Sequence, residues 1–204
     1  MTTDELMQLA PVIPVLVIDG ATDPAAQAET LVAAGLPVLE VTLRTPAALD
    51  AIRAMSKVAG AVVGAGTVIN PATLDQALAA GARFIVSPGL TDTLGKAAIA
   101  SGTAYLPGIA NAGDIMRGLD LGLDRFKFFP AEASGGLRTL SALAGPFGQI
   151  RFCPTGGITV DTAPSYLAHP AVACIGGTWI VPKGESDLAR IGELARNAAA
   201  LCVA

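Results

Sequence analysis

The chain has 204 residues, 52% apolar and 15% charged, with a formal net charge of −4. That length suits one domain with a substantial core, and the apolar share predicts elements buried on more than one side, as in parallel α/β folds whose strands are covered by helices. The acidic balance and the lack of any Lys/Arg cluster argue against nucleic-acid binding, and no apolar run reaches the ~18 residues that span a bilayer.

The first residues, MTTDELMQLAPVIPVLVID, carry acidic groups where a signal peptide carries basic ones, which predicts a cytoplasmic protein. Within them, Thr3–Leu9 reads as a short extra helix able to close the bottom of a barrel. Short runs rich in β-branched residues then alternate with Ala/Leu-rich stretches of helical period. In chain order the strand-like runs are Pro14–Ile18, Pro37–Val41, Val62–Gly66, Phe84–Ser87, Ala104–Pro107, Arg125–Phe129, Ile150–Thr155 and Val172–Gly176. Asp23-Pro24, Thr45-Pro46 and Asn70-Pro71 each put a capping side chain before a proline suited to a first helical turn. Gly35 and Gly81 stand where helices should end. A strand about every 20 to 25 residues suits repeated βα units with short loops. Eight of them predict a (β/α)₈ TIM barrel with a short N-terminal extra helix, all of residues 1–204 forming one domain. An open doubly wound sheet would show fewer strands and a dinucleotide-type glycine loop after the first.

Two apolar strands contain charges, and a buried charge must be paired, neutralised or functional. In Pro37-Val-Leu-Glu-Val-Thr-Leu-Arg44, a two-residue repeat puts Val38, Glu40 and Thr42 on one face, with Arg44 if the strand continues. In Arg125-Phe-Lys-Phe-Phe129, Lys127 shares a face with Arg125 and Phe129, while Phe126 and Phe128 point the other way. With the apolar faces on the helices, Glu40 and Lys127 both point inward near the C-terminal strand ends, where barrel active sites lie. The phenylalanines disfavour the ammonium form of Lys127 and favour the neutral amine that attacks a ketone; an ionised Glu40 close by acts in the opposite sense. A purely structural ion pair is the alternative reading.

Two glycine pairs follow the last two strands, in Thr155-Gly156-Gly157-Ile158 and Ile175-Gly176-Gly177-Thr178. Loops in these positions commonly hold a substrate phosphate, on backbone N–H groups aided by a following helix N-terminus. Gly64-Ala-Gly66-Thr67 lacks the remaining residues of a nucleotide loop and reads as a close-approach turn at the rim. The single histidine, His169, is too few for a protein-bound zinc site, so no metal is expected. Cys153 and Cys174 read as interior packing, and with Cys202 they lack metal-type spacing.

The stretches LEVTLRTPAALDAI, VGAGTVINP, VSPGL, DRFKFFPAE, RFCPTGGIT and CIGGTWIVP together resemble the 2-keto-3-deoxy-6-phosphogluconate (KDPG) aldolase family, which also covers 4-hydroxy-2-oxoglutarate (KHG) aldolase. They occur in family order over most of the chain. The resemblance implies a Schiff-base lysine at Lys127, a general acid/base at Glu40 and a carboxylate-binding arginine at Arg44. It places Thr67 and Pro88 around the pyruvyl group with Phe129 beside it, and Thr155 near the sugar hydroxyls. It assigns Gly156, Gly157, Gly176, Gly177 and Thr178 to the phosphate, Thr178 standing where many relatives have serine. Pro107–Gly113 departs from the Thr/Ser-rich turn of relatives, so no hydroxyl contact is expected from that loop. The resemblance further implies a class I aldolase without cofactor, acting reversibly in the Entner–Doudoroff pathway, and a homotrimer whose partners are small molecules rather than nucleic acid or membrane. Cleavage of 4-hydroxy-2-oxoglutarate or the galactonate epimer is the nearest alternative. A phosphate-binding barrel isomerase and a sugar-phosphate binding protein with an inert lysine are more distant ones.

Overall fold

The computed structural model describes residues 1–202. The first helix, α1 (Thr3–Met7), starts at a capping box: the Thr2 hydroxyl accepts from the Glu5 N–H, and the Glu5 carboxylate accepts from the Thr2 N–H at 2.7 Å. Nine parallel strands follow among the described residues: β1 (Val12–Leu16), β2 (Val38–Thr42), β3 (Val62–Gly66), β4 (Phe84–Val86), β5 (Ala104–Leu106), β6 (Gly108–Ile109), β7 (Arg125–Phe128), β8 (Arg151–Pro154) and β9 (Ile175–Gly177). Between and after them run α2 (Pro24–Ala33), α3 (Ala48–Met55), α4 (Pro71–Ala79), α5 (Asp92–Ala100), α6 (Ala112–Asp120), α7 (Gly136–Ala144), α8 (Ala163–Leu167) and α9 (Leu188–Ala199). This is an α/β fold with a curled parallel sheet. Six strands pair in the order β5-β4-β3-β2-β1-β9 and three in the order β6-β7-β8. Isolated bridges, Phe152 to Val172 and Thr155 to Gly176, lie between the β8 segment and the β9 segment.

The caps show why the helices begin and end where they do. Asp23 accepts from the Ala26 N–H, and Asn70 forms a reciprocal pair with Thr73, each just ahead of a proline in the first turn. Gly35 (φ 94°) and Gly81 (φ 98°) follow the α2 and α4 C-caps in the left-handed conformation that glycine adopts at no steric cost. Thr45 does not do what its sequence suggests. The helix starts three residues later at Ala48 with no side-chain cap, and the Thr45 hydroxyl is buried without a partner. Its carbonyl instead closes a turn by accepting from the Ala48 N–H.

Several strand ends shift by one residue from expectation, and three runs differ by more than that. The first strand starts at Val12, two residues before Pro14. The fifth run breaks into β5 and β6 because Pro107 has no N–H to donate, although its carbonyl still accepts from Lys127 at 2.8 Å. The last run makes only a single bridge at Val172, and its strand forms at Ile175.

Alternation divides the strand residues between two clusters. Val12, Leu16, Leu39, Val41, Phe126, Phe128 and their counterparts pack against the helices. The opposite face of the strands contributes Ile13, Val38, Val62, Phe84, Cys153 and Cys174, and α1 inserts the fully buried Leu6 and Met7 among them. Burying two such side chains favours the fold by roughly 3–6 kcal/mol in total. The Thr3 hydroxyl both donates to the Tyr105 carbonyl and accepts from its N–H, tying α1 to β5. No helix among the described residues is long and apolar enough to cross a membrane.

Tyr105 makes this region sensitive to alkali. Burial pushes its hydroxyl from the ordinary value of 10 up to about 12, against a smaller lowering by its 2.8 Å hydrogen bond to Ser87. Between those values the unfolded chain has released the proton and the folded chain retains it, so stability falls as pH rises through that window. Urea midpoints measured at pH 9 and pH 11 should therefore drop for the wild type, and drop less for Tyr105→Phe.

Candidate functional site

The backbone of β2 presents Glu40 on the same face as Val38 and Thr42, away from Leu39 and Val41. Thr42 secures the strand end by donating to the Leu16 carbonyl at 2.8 Å. On β7, Lys127 lies between Phe126 and Phe128, which both pack toward the helices, and is in register with Gly108 on one side and Cys153 on the other. The two charged side chains meet across the enclosed face. Lys127 Nζ lies 2.9 Å from Glu40 Oε1 and 3.1 Å from Oε2, and both residues are nearly sealed from solvent, at 5% and 3% exposure. Nζ also stands 5.5 Å from the centroid of the Phe129 ring. Arg125, two residues earlier on the same strand, instead pairs with Asp4 on α1 at the other end of the molecule.

Space for the carboxylate comes from β3. A Cβ at Gly66 would come within 2.8 Å of Glu40 Cδ, and one at Gly64 would overlap the Phe84 ring. Gly64 and Gly66 are thus strand residues that clear room for neighbours, not a turn, and the turn begins with Thr67. Thr67 is half-buried with φ 62°, a left-handed conformation that costs a β-branched residue about 1–3 kcal/mol and is typically kept at functional sites. Gly66 was not singled out as serving Glu40. A glycine ending a strand on the charged face was its only sequence signal.

Arg44 lies beyond the end of β2, in an exposed turn, and has no carboxylate partner among the described residues. Pro88, exposed after β4, and Phe129, half-buried before a cis peptide bond to Pro130, border a cavity of about 360 Å³. Ile69, Leu90, Ile109 and Ala110 also line it. Lys127 and Glu40 do not, so the cavity flanks the charged pair. Thr155 is buried, donating to the Cys153 carbonyl at 3.3 Å.

The two glycine pairs differ in kind. Gly156 (φ 104°) and Gly157 (φ 81°) form a left-handed turn, and the Gly157 N–H has no partner among the described residues. Gly176 and Gly177 are extended residues of β9; a Cβ at the first would lie 2.7 Å from Thr155 Cγ2, and at the second 2.5 Å from the Trp179 ring. Thr178 follows, exposed. Neither pair leads straight into a helix, since α8 starts at Ala163 and α9 at Leu188, so the expected helix-dipole contribution is missing.

His169 is half-buried in a turn, its Nδ1 accepting from the Ala171 N–H. Among the described residues no group of three His, Cys, Asp or Glu is arranged to hold a metal ion. Cys153 and Cys174 are buried neighbours; the hydrogen bond between them, then burial, pushes the Cys174 thiol well up, which keeps it a protonated packing group. What the site offers chemically is an amine in a sealed pocket, touching a carboxylate that can take or return its proton.

That combination on a parallel α/β scaffold defines a class of proteins in which a lysine can form an imine with a carbonyl compound. The profile of the KDPG and KHG aldolase family matches residues 3–194, and the chain belongs to this family. It is 61% identical over 197 residues to the 2-dehydro-3-deoxy-phosphogluconate aldolase of Zymomonas mobilis, covering 97% of this chain and 95% of that protein. A crystal structure of the Zymomonas mobilis ZM4 aldolase with 3-phosphoglycerate superimposes with a TM-score of 0.97 at 60% identity, covering 99% of this chain and 97% of that one. A Legionella pneumophila KDPG aldolase, with pyruvate captured at low pH as a covalent carbinolamine, superimposes with a TM-score of 0.94 at 43% identity, covering 98% and 99%.

The buried pair makes a stability prediction independent of catalysis. Removing one member leaves the other charged without a partner, which costs about 3–5 kcal/mol, whereas replacing both by apolar residues of similar size is often neutral. Lys127→Met should lower the urea midpoint sharply, and Lys127→Met with Glu40→Met should recover most of the loss.

Proposed function

We propose that this chain is a class I aldolase that cleaves 2-keto-3-deoxy-6-phosphogluconate reversibly to pyruvate and glyceraldehyde 3-phosphate, as in the Entner–Doudoroff pathway. The observation that carries the reading is the two-point contact of Lys127 Nζ with the Glu40 carboxylate inside the FKFFPAE and LEVTLRT motifs. The covalent carbinolamine of the Legionella relative supports imine chemistry on this scaffold.

In this mechanism Lys127 passes a proton to Glu40 and attacks C2 of the keto acid, giving a carbinolamine. Loss of water, with Glu40 returning the proton to the departing hydroxyl, gives the iminium. Glu40 then takes the C4 hydroxyl proton; the C4 oxygen becomes the aldehyde carbonyl and the C3–C4 electron pair moves into the iminium, leaving an enamine. Protonation at C3 and hydrolysis release pyruvate and free Lys127. Arg44 holds the substrate carboxylate through its two-pronged guanidinium. Thr67, Pro88 and Phe129 enclose the pyruvyl group, and Thr155 meets the sugar hydroxyls. Gly156, Gly157, Gly176, Gly177 and Thr178 hold the phosphate, and that remote binding helps align the reacting bond.

The same reading takes residues 1–204 as one (β/α)₈ barrel. It is supported by the bridges at Phe152–Val172 and Thr155–Gly176, and by the direct run of β5 through Pro107 into β6. Resemblance to the family supports a cytoplasmic homotrimer without cofactor.

Borohydride reduction in the presence of pyruvate, followed by peptide mapping, should leave a stable adduct on Lys127 and none in Lys127→Met. Glu40→Gln should slow cleavage at least ~100-fold. Folded wild-type protein that forms no adduct in ample pyruvate would overturn the assignment in favour of a phosphate-binding isomerase. Parallel assays with 4-hydroxy-2-oxoglutarate and the galactonate epimer set the substrate range.

A further inference from the structure

We infer that Glu132 and Tyr166 are positioning residues that hold the Gly156–Gly157 turn in shape for the substrate's phosphate. The inference rests on the reading of that turn as part of the phosphate site. Glu132 stands five residues after Lys127, where the chain has left β7 and runs alongside the turn. Its N–H donates to the Gly156 carbonyl at 3.0 Å, and the preceding Ala131 N–H donates to the Thr155 carbonyl at 2.8 Å. The stem of the Glu132 side chain packs across Gly157, where an added Cβ would come within 2.7 Å of Glu132 Cβ and 2.8 Å of Cγ. Gly157 therefore has two separate reasons to be glycine, this contact and its φ of 81°.

Although Glu132 is exposed, its carboxylate is not loose. Oε1 accepts a 2.6 Å hydrogen bond from the Tyr166 hydroxyl, and Tyr166 is 2% exposed on α8, the helix that follows the turn. Burial first, then the hydrogen bond to Glu132 and its negative charge, raise the Tyr166 hydroxyl far above its ordinary range, so it remains a donor. The first residue of α7 comes close on another side: a Cβ at Gly136 would lie 3.3 Å from the Tyr166 hydroxyl and 3.4 Å from Glu132 Oε2. Glu132 thus joins the exit of the lysine strand, the backbone of the turn and the helix beyond it.

The test compares a phosphate-dependent readout with one that involves no phosphate: steady-state cleavage of KDPG, and exchange of pyruvate methyl protons with D₂O. Tyr166→Phe and Glu132→Ala should each raise KM for KDPG and Ki for inorganic phosphate about tenfold, the effect of losing one hydrogen bond to a charged group, while pyruvate exchange stays within about twofold of wild type. Glu132→Gln keeps an oxygen acceptor for Tyr166 and should remain within about twofold of wild type in both assays. If Tyr166→Phe does not fold, the two Glu132 variants carry the comparison. Unchanged KM in Glu132→Ala, a parallel fall in exchange, or a Glu132→Gln as impaired as Glu132→Ala would overturn the inference. Wild-type protein that neither exchanges pyruvate protons nor cleaves KDPG would overturn the proposed function, and this inference with it.

Discussion

Much of the molecule is arranged around keeping one ammonium–carboxylate contact out of water. Lys127 and Glu40 come from strands in different sheets, 87 residues apart in the chain, and meet with two short contacts nearly sealed from solvent. Desolvating two charges is costly, and only close geometry with both oxygens engaged offsets it. The surrounding sequence meets that demand in stages. Phe126 and Phe128 fix the face on which Lys127 emerges, Gly66 leaves the volume that the carboxylate occupies, and Thr42 pins the end of the strand carrying Glu40 to its neighbour.

The same enclosure explains where small residues occur. On the face opposite the helices, bulky groups at one end (Ile13, Val38, Val62, Phe84 and the two α1 side chains) give a tightly filled cluster. Toward the C-terminal ends of the strands the inward residues become Gly64, Gly66 and Gly176, each pressed against a larger neighbour. A Cβ at any of them would displace Phe84, Glu40 or Thr155 in turn. The packed end supplies stability, and the thinned end leaves the charged pair and Thr155 in place beside the open turns. Arg125 and Lys127 lie on one strand, yet the first belongs to the packed end through Asp4 and the second to the thinned one.

The strand–helix alternation, the Asp23, Asn70, Gly35 and Gly81 caps, and the inward placement of Glu40 and Lys127 were legible in the sequence because each rests on a local rule: a period of two or a cap before proline. What stayed hidden depends on residues distant in sequence. Thr45 looks like a cap, but its hydroxyl is buried and the chain turns once more before the helix begins. The two GG pairs look alike, yet one is a left-handed turn and the other a stretch of strand kept bare for Thr155 and Trp179. Nothing local distinguishes them, because the difference lies in what packs against each. Arg44 could be assigned a face only on the assumption that β2 continued, and the strand stops at Thr42.

A further constraint follows from how little chain separates Lys127 from the segment hydrogen-bonded to the glycine turn. Lys127 and Glu132 are five residues apart, and between them the backbone passes from a strand paired with β8 to a segment hydrogen-bonded along Thr155 and Gly156. Two backbone hydrogen bonds, from Ala131 to Thr155 and from Glu132 to Gly156, thus tie the glycine turn to the segment that carries Phe129, whose ring centroid lies 5.5 Å from Nζ. A ligand gripped at the turn, as proposed, would have its far end delivered to the amine at a fixed reach, set by these backbone hydrogen bonds together with the Glu132–Tyr166 contact. Fixed reach is what remote binding energy requires if it is to act on a reacting bond, since a flexible grip would tighten binding without aligning the atoms that change.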